Sequence, residues 1–258
     1  MKLPRQDSLS ESSVAALGRE LTNVSMLDHP SIPRLLGHDM TADVPYIVYE
    51  FVEGLNLSES LEQDGPCGWI DAAYLGMELA AALRHLHERE IVHLDLKPRN
   101  VIMRDGRAVL IDFDIALPVA TVRSETKPRG THQYMAPEQI RCQPAHPLMD
   151  MFALGTVLYE TVTGQRTFRR RRSDCSSQST STATADKVYR QLDQDPTPLA
   201  ELVPDISDGF AAFVHSLLDR DPSRRPQSAT HVLASLRELL PPDEEGLWPS
   251  WADPMQGL

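Results

Sequence analysis

Apolar residues recur at helical spacing over residues 10–27, at Val14, Leu17, Leu21 and Val24, which predicts an amphipathic helix with one buried face. Ser8 with Glu11 three positions later supplies a capping box, and His29-Pro30 stops the helix. Residues 34–39 and 46–50 then read as two short strands, parted by a turn at 41–45. From 69 to 90 the pattern changes. Ile70, Ala73, Met77 and Ala81 lie on one side and Leu75, Leu79, Leu83 and Leu86 on another, as in a helix buried on more than one face. A hairpin follows, because Asp105-Gly106 separates Val101-Ile102-Met103 from Ala108-Val109-Leu110-Ile111. A type I′ turn needs positive φ at both central positions, and Asp-Gly provides it. Residues 149–163 form another mostly apolar helix closed by Gly164, and 210–218 and 229–240 read as two closing helices. Between them, 169–172 is an arginine run and 173–184 is dominated by Ser and Thr, the composition of a flexible surface insertion. Residues 241–258 are Pro-rich and acidic, without periodicity.

Bulk composition narrows the class without naming a chemistry. At 258 residues the chain is long enough for a substantial core. Hydrophobic residues make up 41% and charged residues 24%, the proportions of an ordinary globular protein. A net charge of −12 makes nucleic acid and anionic membranes poor general partners. Cys67, Cys142 and Cys175 are odd in number and have no metal-ligand spacing, which fits unpaired thiols in a reducing compartment. No stretch approaches the roughly 18 apolar residues of a membrane span, and the N-terminus lacks a signal-peptide core. The expectation is a soluble, cytoplasmic protein.

Closing the hairpin at Asp105-Gly106 sets Arg104 against Arg107, Met103 against Ala108 and Asn100 against Ile111. Asn100 then lies beside Asp112 at the open end, and Asp95 stands five residues upstream in the loop leading in. Two carboxylates and a carboxamide converge on one spot. Hard oxygen donors of that kind suit Mg²⁺, which takes one or two carboxylates and completes its shell with water and phosphates.

The same residues carry a resemblance. His93-Leu94-Asp95-Leu96-Lys97-Pro98-Arg99-Asn100, followed by Asp112-Phe113-Asp114, resembles the catalytic loop and metal-binding motif of eukaryotic-type Ser/Thr protein kinases of bacteria. Gly130-Thr131-His132-Gln133-Tyr134-Met135-Ala136-Pro137-Glu138 resembles that family's substrate-docking segment. Asp150-Met151-Phe152-Ala153-Leu154-Gly155 resembles the start of its central helix, and Asp221-Pro222-Ser223-Arg224-Arg225-Pro226 its late Arg motif.

The resemblance implies an α+β, protein-kinase-like fold. A reduced β small lobe and hinge would span 1–54, a mainly α-helical large lobe 55–240, and the tail 241–258. It implies transfer of the ATP γ-phosphate to Ser/Thr hydroxyls of protein substrates, with ATP and Mg²⁺ as cofactors. Asp95 would accept the hydroxyl proton, Lys97 would steady the γ-phosphate, and Asn100 and Asp112 would hold Mg²⁺. Lys97 and Thr131 fit the Ser/Thr-specific branch. The C=O of Glu50 and the N–H of Val52 would meet adenine above Ile102, and Lys2, at the strand-lysine position, would pair with Glu20. Asp150 would receive hydrogen bonds from the catalytic-loop backbone, and Glu138 would pair with Arg225. Apart from the resemblance, Glu20 reads equally well as a solvated carboxylate and 46–50 as a core strand; the lesser alternative for Lys2 is a charged terminal residue.

Three departures change what is expected. Leu94 stands where the family has the Arg that reads an activation-segment phosphate, so switching through that contact is not expected. Asp114 replaces the Gly after Asp112-Phe113, at a backbone position that Asp enters less easily, and adds a negative charge near the metal. No Gly-rich loop precedes Glu20, so the small lobe is expected to lack its front strands and lid. Lys2 would then sit at a fraying end in an exposed pair with Glu20, and the chain would bind ATP poorly. A truncated pseudokinase acting as a binding scaffold is the alternative of a different class. A small-molecule kinase sharing His-x-Asp-x-x-x-x-Asn is a third, which the segment at 130–138 and the Arg225 motif argue against.

Overall fold

A computed structural model describes residues 1–3, 11–122, 127–169 and 189–241. Ser8 of the expected capping box, residues 170–188 of the Arg/Ser/Thr run and residues 242–258 of the tail lie outside the described residues. Helix α1 (Glu11–Val24) buries Leu17, Glu20, Asn23 and Val24, so its apolar face also carries two polar side chains inward. Strands β1 (Leu35–Asp39) and β2 (Tyr46–Tyr49) pair antiparallel. Asp39 Oδ1 accepts from the Thr41 and Ala42 amides at 2.8 and 3.1 Å and closes the turn between them. The other side of β2 is met by residue 2. The Lys2 N–H donates to Ile47 O at 2.7 Å, and the Ile47 N–H to Lys2 O at 3.0 Å.

An extended hinge leads to the larger lobe. At Gly54, with φ 137°, a Cβ would fall on the Met103 carbonyl, so only glycine fits this close approach. β3 (Leu55–Asn56) runs into α2 (Leu57–Asp64) through a capping box. Asn56 Oδ1 accepts from Glu59 N at 3.1 Å, and Glu59 Oε2 from Asn56 N at 3.0 Å. In α3 (Trp69–His87), Met77, Leu79, Leu83 and Leu86 are fully buried. The helix stops before 90 because the chain turns there, with Glu90 at φ 57°. After β4 (Ile91–Val92), strands β5 (Val101–Arg104) and β6 (Arg107–Leu110) place Arg104 opposite Arg107 and Met103 opposite Ala108. Asp105 and Gly106 have φ of 50° and 77°, as a type I′ turn requires. β3 pairs with β5, and β7 (Leu117–Pro118) pairs with β4.

Next come α4 (Pro137–Ile140) and α5 (Pro147–Thr163). α5 begins two residues ahead of its apolar run, because Pro147 suits the first turn and His146 caps it by accepting from the Leu148 N–H. It ends at Gly164, φ 64°. α6 (Leu199–Leu202), α7 (Asp208–Leu217) and α8 (Ala229–Leu239) complete the lobe, and α3 packs against both α5 and α8. Arg225 is buried, lies 5.0 Å from the Phe152 ring centroid and reaches Glu138 bidentately at 2.6 and 2.9 Å. Removing one partner of such a pair strands a buried charge and costs about 3–5 kcal/mol. No helix among the described residues is long and apolar enough to cross a membrane.

Candidate active site

The loop between β4 and β5 is shaped from below by Asp150, in the first turn of α5. Its fully buried carboxylate accepts from the His93 N–H at 2.9 Å and the Leu94 N–H at 2.8 Å. Between these bonds Leu94 takes φ 66°, a conformation that non-glycine residues enter only under tertiary constraint. Asp95 follows. Its Oδ1 accepts from the Thr131 N–H and hydroxyl, both at 2.9 Å, and its Oδ2 from Lys97 Nζ at 2.5 Å and Asn100 Nδ2 at 3.2 Å. Lys97 also reaches Thr131 Oγ1 at 2.9 Å. Asn100 Nδ2 donates again to the Asp95 carbonyl at 2.9 Å, so its N–H groups fold the loop and its carboxamide oxygen is what it can offer a cation. His93, buried and edge-on to Phe113 at 5.1 Å, is held below its ordinary pKa by desolvation.

Lys2 forms the second half of the site. Its Nζ lies 2.8 Å from Glu20, 2.9 Å from Asp112 and 3.2 Å from Asp114. Burial alone would lower its pKa, but the Glu20 and Asp112 carboxylates outweigh burial and raise it. Glu20 is pushed up by desolvation against the pull of Lys2. Asp112 moves down: burial opposes ionisation, and the Lys2 ammonium overcomes it. The expectation of a frayed Lys2 in an exposed pair is corrected here. Two backbone bonds to Ile47 hold residue 2, and the Glu20 side chain is 1% exposed. The expectation of strain at Asp114 is corrected too, since the positive φ, 67°, belongs to Asp112.

A cavity of about 290 Å³ opens between the lobes, lined by Lys2, Glu20, Glu50, Val52, Ile102 and Asp112 among others. The Glu50 side chain turns away to ion-pair with Arg104 at 2.9 Å and Arg34 at 3.3 Å, leaving the hinge backbone beside the cavity. A wider cleft continues past Asp95, Lys97, Asp114 and Thr131. Three contributors went unread in the sequence. Tyr49 donates its hydroxyl to Glu20 at 2.8 Å. Asn23 donates to Ala116 O at 3.0 Å, tying α1 to the segment after Asp114. Gln139 donates to Leu94 O at 2.8 Å. The Asn23 contact had no local signal, whereas the polar Tyr49 amid an apolar strand was a faint one.

Two lobes joined by an extended hinge, with a hydrogen-bonded carboxylate loop at their junction, define a protein-kinase-like fold. The chain belongs to the protein kinase family: the family model described as "Protein kinase domain" matches residues 1–236. It is 34% identical over 235 residues to a probable serine/threonine-protein kinase of Corynebacterium efficiens, covering 86% of this chain and 34% of that protein. To the serine/threonine-protein kinase PknB of Mycobacterium leprae it is 31% identical over 226 residues, covering 84% of this chain and 35% of the relative. A probable serine/threonine-protein kinase PknB of Corynebacterium glutamicum is 33% identical over 235 residues, covering 86% and 34%. The chain thus spans about a third of the length of the curated relatives it matches.

Proposed function

We propose that this chain is a Ser/Thr protein kinase domain that transfers the γ-phosphoryl group of ATP to protein hydroxyls. The observation that carries the reading is the Asp95 cluster, in which Lys97, Asn100 and Thr131 fix one carboxylate at the mouth of the interlobe cleft. Phosphoryl transfer asks a protein for positioning and charge stabilisation and little covalent work. Asp95 orients the incoming hydroxyl and takes its proton. Lys97, held between Asp95 and Thr131, meets the transferred phosphoryl group.

The residues present fit the cofactors. Asn100 and Asp112 offer hard oxygen donors, and among the described residues no group of three or more His, Cys, Asp or Glu is placed to hold a metal. Few protein ligands, with phosphates completing the shell, is the pattern of Mg²⁺. Bound there, Mg²⁺ supplies neutralisation of phosphate charge. Lys2, anchored by Glu20, reaches for the phosphates, while the Glu50 C=O and Val52 N–H bind adenine over Ile102. We place the lobe boundary at the hinge, with 1–54 as small lobe and hinge and 55–240 as large lobe. A cytoplasmic location suits the free Cys67 and Cys142. The scaffold alternative has no observation in its favour: Asp95, Lys97, Asn100 and Asp112 are all present, and the relatives are named serine/threonine-protein kinases.

Transfer of radiolabelled phosphate from ATP to dephosphorylated casein tests the reading. Label should appear on Ser and Thr at a rate about a hundredfold or more above that of Asp95→Asn. Equal labelling by the two proteins would overturn it.

A further inference from the structure

The segment that presents Thr131 to Asp95 is gripped by two buried side-chain amides. Gln139 Nε2 donates to Leu94 O at 2.8 Å and to Arg129 O at 3.0 Å, so one carboxamide spans the catalytic loop and the residue two positions before Thr131. Gln191 Nε2 donates to His132 O at 2.6 Å and Met135 O at 3.0 Å on the other side of Thr131. Both side chains are buried, Gln191 to 2% exposure. The backbone is shaped to the first of them. At Gly130, φ 122°, a Cβ would stand 3.0 Å from both Gln139 Nε2 and Leu94 O, so any larger residue would push the segment off the loop. Ala120 and Thr121 tie the start of the segment to Ala145 through two further backbone bonds, at 2.8 and 3.0 Å. A small cavity of about 20 Å³ adjoins Leu94, Arg129 and Gln139.

From these contacts we infer that Gln139 and Gln191 are positioning residues that hold the substrate-facing segment in its working geometry without covalent modification. The inference rests on the kinase reading and adds how that site is regulated. Each amide makes one buried bond, Gln139 to Leu94 O and Gln191 to Met135 O, and a buried carbonyl left unsatisfied is the expensive state. A carboxamide has no charge to be desolvated, so the clamp closes with no anion to recruit it. Thr131 then lands on Asp95 whether or not the chain is phosphorylated.

The test uses the whole chain stripped with a protein phosphatase, its mass checked, and Gln139→Glu, which keeps the size of the side chain and loses its N–H donors. The stripped wild type should label casein within about twofold of the untreated protein. Gln139→Glu should lose about tenfold or more in kcat, the loss two abolished hydrogen bonds represent, with affinity for a non-hydrolysable ATP analogue unchanged. Amide exchange over 127–135 should quicken in that variant and in Gln139→Met, which keeps the site uncharged should the carboxylate prevent folding. A stripped wild type that loses activity tenfold and regains it on incubation with ATP would overturn the inference, as would unchanged exchange in both variants. If no form transfers phosphate, the kinase reading fails by itself and the exchange comparison still decides the clamp.

Discussion

Glu78, on the inner side of α3, accepts the Ala108 N–H at 2.6 Å and so fixes β6, the strand that leads to Asp112. Its Oε1 is buried without a hydrogen-bond partner, and Arg107 Nε stands off at 3.7 Å. Desolvation pushes the carboxyl up to about 7 from its usual 4.5, against the bond from Ala108 and the charge of Arg107. The folded chain therefore holds this proton more tightly than the unfolded chain does. Glu78 contributes stability that is complete below about pH 4.5, declines as pH rises and is lost above about pH 7. The size of that contribution is on the order of 2–3 kcal/mol. Gln in its place keeps an acceptor for Ala108 without the titration. Urea melts from pH 4.5 to 8 should show wild-type stability falling across the range relative to Glu78→Gln. Parallel curves for the two proteins would show that Glu78 is not held in this way.

Helix α1 serves the site through where it is docked, and two polar side chains on its buried face do the docking. Glu20 accepts from Lys2 and Tyr49, and Asn23 donates to Ala116 O. The second bond ties α1 to the segment just beyond Asp112-Phe113-Asp114. Asn23→Ala leaves the Ala116 carbonyl buried and unsatisfied, a cost of about 1–3 kcal/mol. Its expected outcome is a lower unfolding midpoint together with a raised KM for ATP, as Glu20 no longer holds Lys2 in place. A lowered midpoint with KM unchanged would separate the helix from nucleotide binding.

Across the whole molecule, what was legible in the sequence is what local chemistry decides. The positive φ demanded at Asp105-Gly106 set the hairpin register, which carries on to the bond from the Ile111 N–H to Asn100 O, one residue before Asp112. Gly164 and the apolar runs of α3 and α5 marked helices whose burial follows from periodicity. The Asn56–Glu59 capping box was readable by the same rules and went unread, because α2 is short and mostly polar. Other features depend on partners far along the chain. The Lys2–Glu20 pair was legible through the resemblance, whereas the anchoring of residue 2 by Ile47 and its sharing with Asp112 and Asp114 were not. Gln139 and Gln191 each serve backbone carbonyls in other segments, which periodicity cannot register. These long-range contacts gather the lobes around the division of labour we propose: Asp112 for the metal and nucleotide, Asp95 for the accepting hydroxyl. Calorimetric titration of ATP·Mg²⁺ into Asp112→Ala and Asp95→Ala, with turnover measured on the same preparations, tests that division most directly. Asp112→Ala should lose nucleotide affinity about tenfold or more, while Asp95→Ala keeps it and loses turnover. Equal losses of nucleotide affinity in the two variants would contradict it.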